Sequence, residues 1–205
     1  EDTMDAKLKE TILNPLWKGN PISVLVLGIC SSLAVTVELK GACVMALSVT
    51  IVTALSSLVC SLIRKTIPNR VRIIIQLVVV ALMVILVDQV LKAFAYGVGK
   101  QLSVYIGLII TNCIVMGRIE AFALGNKPVA SFLDGLFNGL GYGIILIVVG
   151  FFRELLGSGN LFGFDVLNRF GYVNNGLVIL PPMALIFLGC LIWIQRAISK
   201  DLQEK

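Results

Sequence analysis

Residues Leu102–Arg118, LSVYIGLIITNCIVMGR, form an apolar stretch that carries one thiol, Cys113, and one amide, Asn112, near its centre. At ~1.5 Å per helical residue, Cys113 stands about 11 residues or ~16 Å past the start, near the middle of a ~30 Å hydrocarbon layer. A second stretch, Ile22–Glu38, carries Cys30 about 8 residues or ~12 Å in, so it reaches the middle too. Matched depth in two separate stretches predicts that the two thiols meet and hold a metal.

The rest of the chain is of the same kind. Of 205 residues, 58% are hydrophobic and 14% charged; the mean hydropathy is +0.96 and there is no histidine. Soluble domains carry roughly 25% charged residues, so the composition predicts an integral membrane protein. The net charge of +5 comes from 17 Lys and Arg against 12 Asp and Glu. These residues fall between apolar blocks, as loop anchors do, and this placement excludes a nucleic-acid groove. Glu1–Asn20 is polar and of mixed charge, unlike a cleavable signal, so the first apolar block is expected to be retained. The five cysteines, Cys30, Cys43, Cys60, Cys113 and Cys190, all lie in or beside apolar blocks without a C-x-x-C pair, which excludes a secreted disulfide framework.

Taken in order, residues 1–21 predict an interfacial segment, with Leu8, Ile12, Leu13, Leu16 and Trp17 on one helical face of Met4–Trp17. A membrane domain over 22–197 and a polar tail over 198–205 follow. The domain holds six apolar blocks: Ile22–Glu38, Ala42–Ile63, Val71–Leu91, Leu102–Gly117, Val129–Phe152 and Leu177–Ile194. The expected fold is therefore an all-α integral membrane protein of six transmembrane helices. The first and fourth blocks are short for a straight span and read as broken half-helices. Irregular backbone at membrane depth is tolerated only where protein or a cavity covers it, so two such breaks point to a buried site between them.

Lys and Arg set the orientation. Lys7, Lys9, Lys18, Arg64, Lys65, Arg70, Arg72, Arg118, Lys127, Arg196, Lys200 and Lys205 fall on one side, and Lys40, Lys92, Lys100, Arg153 and Arg169 on the other. The richer side is expected to be cytoplasmic, with both termini there. Three spans per half, about 22–93 and 102–197, predict two repeats of which the second is inverted. Cys30 then enters from the cytoplasmic face and Cys113 from the outer face.

Each candidate has a plainer alternative. A membrane cysteine is most simply a small apolar filler, the expectation for Cys43, Cys60 and Cys190. Cys30 and Cys113 are candidate metal ligands, but two thiolates make only half of a four-ligand zinc or iron–sulfur shell. Asp88 and Asp134 lie a few residues from opposite faces, where interfacial solvation competes with a place on an ion path. Arg118 with Glu120, and Arg153 with Glu154, are expected to anchor span ends by pairing. Gly135, Gly139 and Gly143 recur every four residues and predict close helix packing. Gly28 and Asn112, beside the cysteines, serve either as backbone breaks or as hydrogen-bond partners of a centre.

The strings GLIITNCIVMGRIEAFA, VLGICSSLAVT, IPNRVRIIIQ, VDQVLKAFAY, DGLFNGLGYG and GFFRELLGSGNLFG resemble the D-type membrane subunits of the sodium-translocating NADH:quinone reductases. The resemblance runs over roughly Asn14–Arg196. It implies a subunit of a Na+-translocating NADH:ubiquinone oxidoreductase in the bacterial inner membrane, paired with an inverted paralogue, the E-type membrane subunit. Four further subunits, of types A, B, C and F, complete such a complex. Two cysteines from each paralogue hold an iron centre, understood as a [2Fe-2S] cluster, and Cys30 and Cys113 match the ligand positions. The centre relays electrons from the cytoplasmic NADH-oxidising subunit to an outer-side flavin. FAD, FMN and riboflavin sit on other subunits, which also handle NADH and ubiquinone. No catalytic residue is expected on this chain, which lacks a G-x-G-x-x-G turn. The alternatives are an E-type subunit of the related Rnf complex, a secondary transporter or channel without a redox centre, and a structural scaffold.

Overall fold

The computed structural model describes residues 19–68, 70–94, 105–161, 164–165 and 176–198. Nearly all of the interfacial segment and of the polar tail lies outside these residues, as does 166–175. The described chain is helical apart from a two-residue antiparallel pair, β1 (Asn160–Leu161) with β2 (Phe164–Asp165).

The first apolar block does not become one helix. The Asn20 side chain accepts from the backbone N–H of Ile22 at 3.0 Å and donates to the Gly141 carbonyl at 3.1 Å, pinning a turn. Val26 and Gly28 then adopt φ of 57° and 80°. That conformation stops an α-helix and is costly for a β-branched residue. What remains is α1, Ile29–Val35, of seven residues. After it come α2 (Leu39–Ile63) and α3 (Arg72–Phe94). The fourth block breaks as well: α4 covers 105–110, Thr111 and Asn112 leave the helix, and α5 (Cys113–Arg118) continues into a π-helical turn, Ile119–Ala123. Then follow α6 (Pro128–Ser158), α7 (Gly176–Ile179) and α8 (Pro181–Ile198).

Among the described residues, five helical segments are long and apolar enough to cross a membrane: Leu39–Ile63, Arg72–Ala93, Tyr105–Ala123, Pro128–Gly157 and Pro181–Ile198. The Ile22–Glu38 block, expected to supply the first of six spans, is not among them because its left-handed residues leave too short a helix. The last block is also shifted from Leu177–Ile194. Leu180 precedes a proline and is disfavoured in α geometry, so the short α7 ends there and the long helix starts afresh at Pro181.

Helices α2 and α6 form the core. Small residues face each other along both, Ala42, Ala46, Thr50 and Ala54 on α2 against the glycines of α6. A Cβ at Gly139 would lie 2.6 Å from Thr50 Cα, and one at Gly135 2.9 Å from the Thr53 carbonyl oxygen. The expected glycine stripe is thus an intrachain contact. Three α2 hydroxyls are satisfied within the helix, because Thr50, Thr53 and Ser56 donate to carbonyls one turn back at 2.6 to 2.7 Å.

Contacts at the two ends of this pair show that α2 and α6 run antiparallel. At one end, Glu154 of α6 accepts from the Leu39 backbone N–H of α2 at 2.5 Å, and Arg153 reaches the last turn of α1. At the other, Ser61 and Arg64 donate to the Asn126 carbonyl, just past the π turn, at 2.7 and 2.8 Å. So α1 and α5 approach from opposite ends of the pair, and their N-termini meet between the ends.

Gly139→Ala should overpack this seam and cost about 1–3 kcal/mol. A lowered melting temperature of the detergent-solubilised complex would show it. Gly189→Ala on α8, where an added Cβ meets nothing within 4 Å, should leave melting unchanged or raise it.

Candidate functional site

Cys30 is the second residue of α1 and Cys113 the first of α5, so both thiols stand where a half-helix begins. The two side chains lie close enough to interact electrostatically. Both are exposed on the surface of the chain. The pair predicted by depth counting is therefore brought together.

Beneath the thiols the two breaks are tied by a buried polar cluster. The Asn112 side-chain oxygen accepts from the Ile114 backbone N–H at 3.3 Å, capping α5. Its amide nitrogen donates to Ser31 Oγ at 3.3 Å and to the Tyr142 hydroxyl oxygen at 3.4 Å. Ser31 Oγ donates to the Gly28 carbonyl at 2.9 Å and lies 2.5 Å from the Tyr142 hydroxyl. With the serine proton committed to Gly28, Tyr142 must be the donor to Ser31. Each member is fully buried. The Tyr142 ring also presses on Gly28: a Cβ there would lie 2.9 Å from Cε2. Gly28 is thus both the break in the backbone and the space for the ring. Asn112, whose role the sequence leaves open, is the cap and the bridge.

The donor set fits half of a soft-metal centre. Two adjacent thiols match what copper(I), zinc or iron–sulfur chemistry selects, and such shells need about four ligands. Among the described residues no group of three or more His, Cys, Asp or Glu side chains forms. The exposed side of the pair leaves room for ligands from another chain. Cys60 is buried at 0% exposure, the filler expected of it, whereas Cys43 is half-buried and Cys190 exposed.

Both acids are buried within the chain, and each binds a neighbouring cation. Asp134 is 3% exposed. Arg118 Nε and Nη2 donate to its two carboxylate oxygens at 2.9 and 2.5 Å, and Asn138 adds a third bond at 3.0 Å. Arg118 therefore pairs with Asp134, and Glu120, its expected partner, takes Arg72 and Gln76. Asp88 is 4% exposed and accepts from Lys92, one turn on, at 2.6 Å.

Arg153 is the largest fully buried side chain among the described residues. Its guanidinium donates to Thr36 Oγ1 at 2.6 Å, to the Leu33 carbonyl at 3.2 Å, and to the carbonyls of Val178 and Ile179. Apart from the Thr36 hydroxyl, these acceptors are C-terminal carbonyls of α1 and α7 that would otherwise lack donors. The sequence marks Arg153 only as a span-end anchor. Tyr142 and Ser31 carry no motif signal beyond their neighbours, the glycines of α6 and Cys30.

Fold and site together define an all-α membrane protein with two broken half-helices that present paired thiols. The family described as "Rnf-Nqr subunit, membrane protein" matches residues 8–192, and the chain belongs to it. Among curated relatives, the D subunit of the Na(+)-translocating NADH-quinone reductase of Haemophilus influenzae (strain PittGG) is 57% identical over 201 residues, covering 96% of this chain and 97% of that protein. The protein of the same name from Yersinia pestis (strain Pestoides F) is 56% identical over 203 residues, covering 97% of each.

Proposed function

We propose that the chain is the D-type membrane subunit of a Na+-translocating NADH-quinone reductase, and that Cys30 and Cys113 are its two ligands to a shared intramembrane iron–sulfur centre. The observation that carries the reading is the meeting of these two thiols at the starts of α1 and α5. The full-length similarity to relatives named as D subunits of that enzyme supports it. When bound, a [2Fe-2S] centre supplies one-electron exchange between the NADH-oxidising side and the outer flavin. The other two ligands come from an inverted paralogue, the E-type membrane subunit. FAD, FMN and riboflavin reside on other subunits.

On this reading the membrane is the bacterial inner membrane, and 22–197 is a domain of two inverted three-helix repeats, about 22–93 and 102–197. The first block counts as the sixth span although it is broken. Approach of α1 and α5 from opposite ends of the α2–α6 pair is what supports inversion. The cationic end, with Arg64, Arg72 and Arg118, is cytoplasmic. Asp88 and Asp134, buried and each held by a cation, stand on the ion path.

Replacing either Cys30 or Cys113 with Ser should remove iron from the membrane centre, since an oxygen ligand does not substitute for thiolate there. NADH should still reduce the soluble donor cofactors while quinone reduction falls to background. The measurements are iron per complex and flavin reduction kinetics, with Cys43, Cys60 and Cys190 variants as controls. Full iron content in the Cys30 or Cys113 variant would end the proposal.

For topology, a reporter fused after Lys205 should be active in the cytoplasm, and a tag within 160–175 should be accessible from outside. The opposite pattern would reverse the direction from which each thiol enters.

For the acids, Asp88→Ala or Asp134→Ala should raise the sodium concentration for half-maximal quinone reduction while the centre's spectrum stays intact. Unchanged sodium dependence in both removes them from the path.

A further inference from the structure

We infer that Tyr142, Ser31 and Asn112 form a positioning device that sets the spacing and surroundings of the paired thiols from the side opposite the partner subunit. The inference rests on the proposed role of Cys30 and Cys113. Its geometry is independent of that role. Ser31 follows Cys30 and Asn112 precedes Cys113, so bonds between these two residues join the half-helices one residue away from each thiol. Tyr142, carried by the long rigid α6, donates to Ser31 at 2.5 Å and accepts from Asn112 at 3.4 Å, fixing both half-helix starts to the core. It also lies close enough to interact electrostatically with both sulfurs.

The cluster is closed. Ser31 Oγ donates once and accepts twice, the Tyr142 hydroxyl donates once and accepts once, and Asn112 uses its oxygen as a cap and its nitrogen as a bridge. No member can rotate without leaving a buried donor unpaired, which costs more than an ordinary hydrogen bond contributes. Two short helices that end in open backbone could otherwise slide or tilt, and a metal centre tolerates little of either. The cluster therefore transmits the rigidity of α6 to ligands that α6 does not carry.

The test uses the whole complex. Tyr142→Phe deletes only the hydroxyl and keeps the ring on Gly28; Ser31→Ala deletes the bridge to Tyr142 together with the bonds to Gly28 and Asn112. Both should retain iron, since both thiols remain. Each should alter the EPR signature of the membrane centre and shift its reduction equilibrium on the order of tenfold, about 59 mV for one electron. Because both variants remove the Ser31–Tyr142 bond, the double variant should shift by less than the sum of the two single shifts. Cys30→Ser in the same series reports on the underlying reading. If it keeps its iron, that reading fails whatever Tyr142 does. If it loses iron while Tyr142→Phe and Ser31→Ala match the parent in spectrum and potential, the positioning role is overturned alone. Failure of both variants to assemble, with Cys60→Ala assembling normally, would likewise overturn it in favour of a purely folding role.

Discussion

A helix that stops at the depth of the hydrocarbon leaves backbone N–H and C=O groups with no water to satisfy them, and each such group is costly there. This chain has two such stops, at Val26–Gly28 and at Thr111–Asn112, and much of the remaining structure answers them. Asn112 supplies a cap from its own side chain. The stop before α1 is covered by Tyr142 and closed by the Ser31 bond to the Gly28 carbonyl. Both stops lie against α6, whose close packing on α2 is made possible by glycines. The thiols are thus held by irregular backbone made rigid by the most regular part of the fold.

The charged residues follow the same logic at the other ends of the half-helices. Arg153 donates to carbonyls where α1 and α7 finish, and Glu154 accepts from the first N–H of α2. At the Asn126 carbonyl after the π turn the neutral Ser61 hydroxyl and an exposed Arg64 donate instead. The buried or part-buried charged bonds that Arg153 and Glu154 make to backbone are worth more than solvent-exposed ion pairs. By contrast the Arg72–Glu120 pair, with both side chains about two-fifths exposed (39% and 41%), contributes little to stability. Burial, and not the presence of opposite charges, separates the ion pairs that hold this fold from those that decorate it.

What could be read from the sequence follows from this division. The meeting of Cys30 and Cys113 was legible from two short polar-centred blocks, although the helical depth count failed for Cys30, which is only the second residue of its helix; the glycine stripe of α6 was legible from its four-residue period. Breaks were legible as short blocks, though not their cause, since a left-handed Val26 has no signature in residue type. Partner choice was not legible. Arg118 is two residues from Glu120 and sixteen from Asp134, yet it binds Asp134 because α5 packs beside α6 there. Counting residues to a membrane face offered Asp134 either interfacial solvation or an ion path; the fold places a guanidinium over it. Arg153 escaped for the same reason, since its acceptors are carbonyls of distant elements and no side chain in the sequence announces them.

The exposure of the thiols carries the last step. Every group that orients them is buried within the chain, whereas the sulfurs themselves are open. A pair of thiols built for internal packing would be covered, as Cys60 is. A pair built to complete a centre across an interface would be rigid behind and open in front. Large apolar side chains are also exposed along α3 and α8, including Ile73, Ile74, Val78, Leu185, Ile186 and Trp193. Lipid or neighbouring subunits can cover those faces without order, because apolar contact is non-directional. If the thiols hold a metal as proposed, their face needs a partner whose ligands arrive at a defined position, because metal shells are directional and incomplete ones bind weakly. On the proposed reading, metal binding and association with the partner are therefore one equilibrium, and the rigidity of the Tyr142 cluster lowers the ordering cost of both.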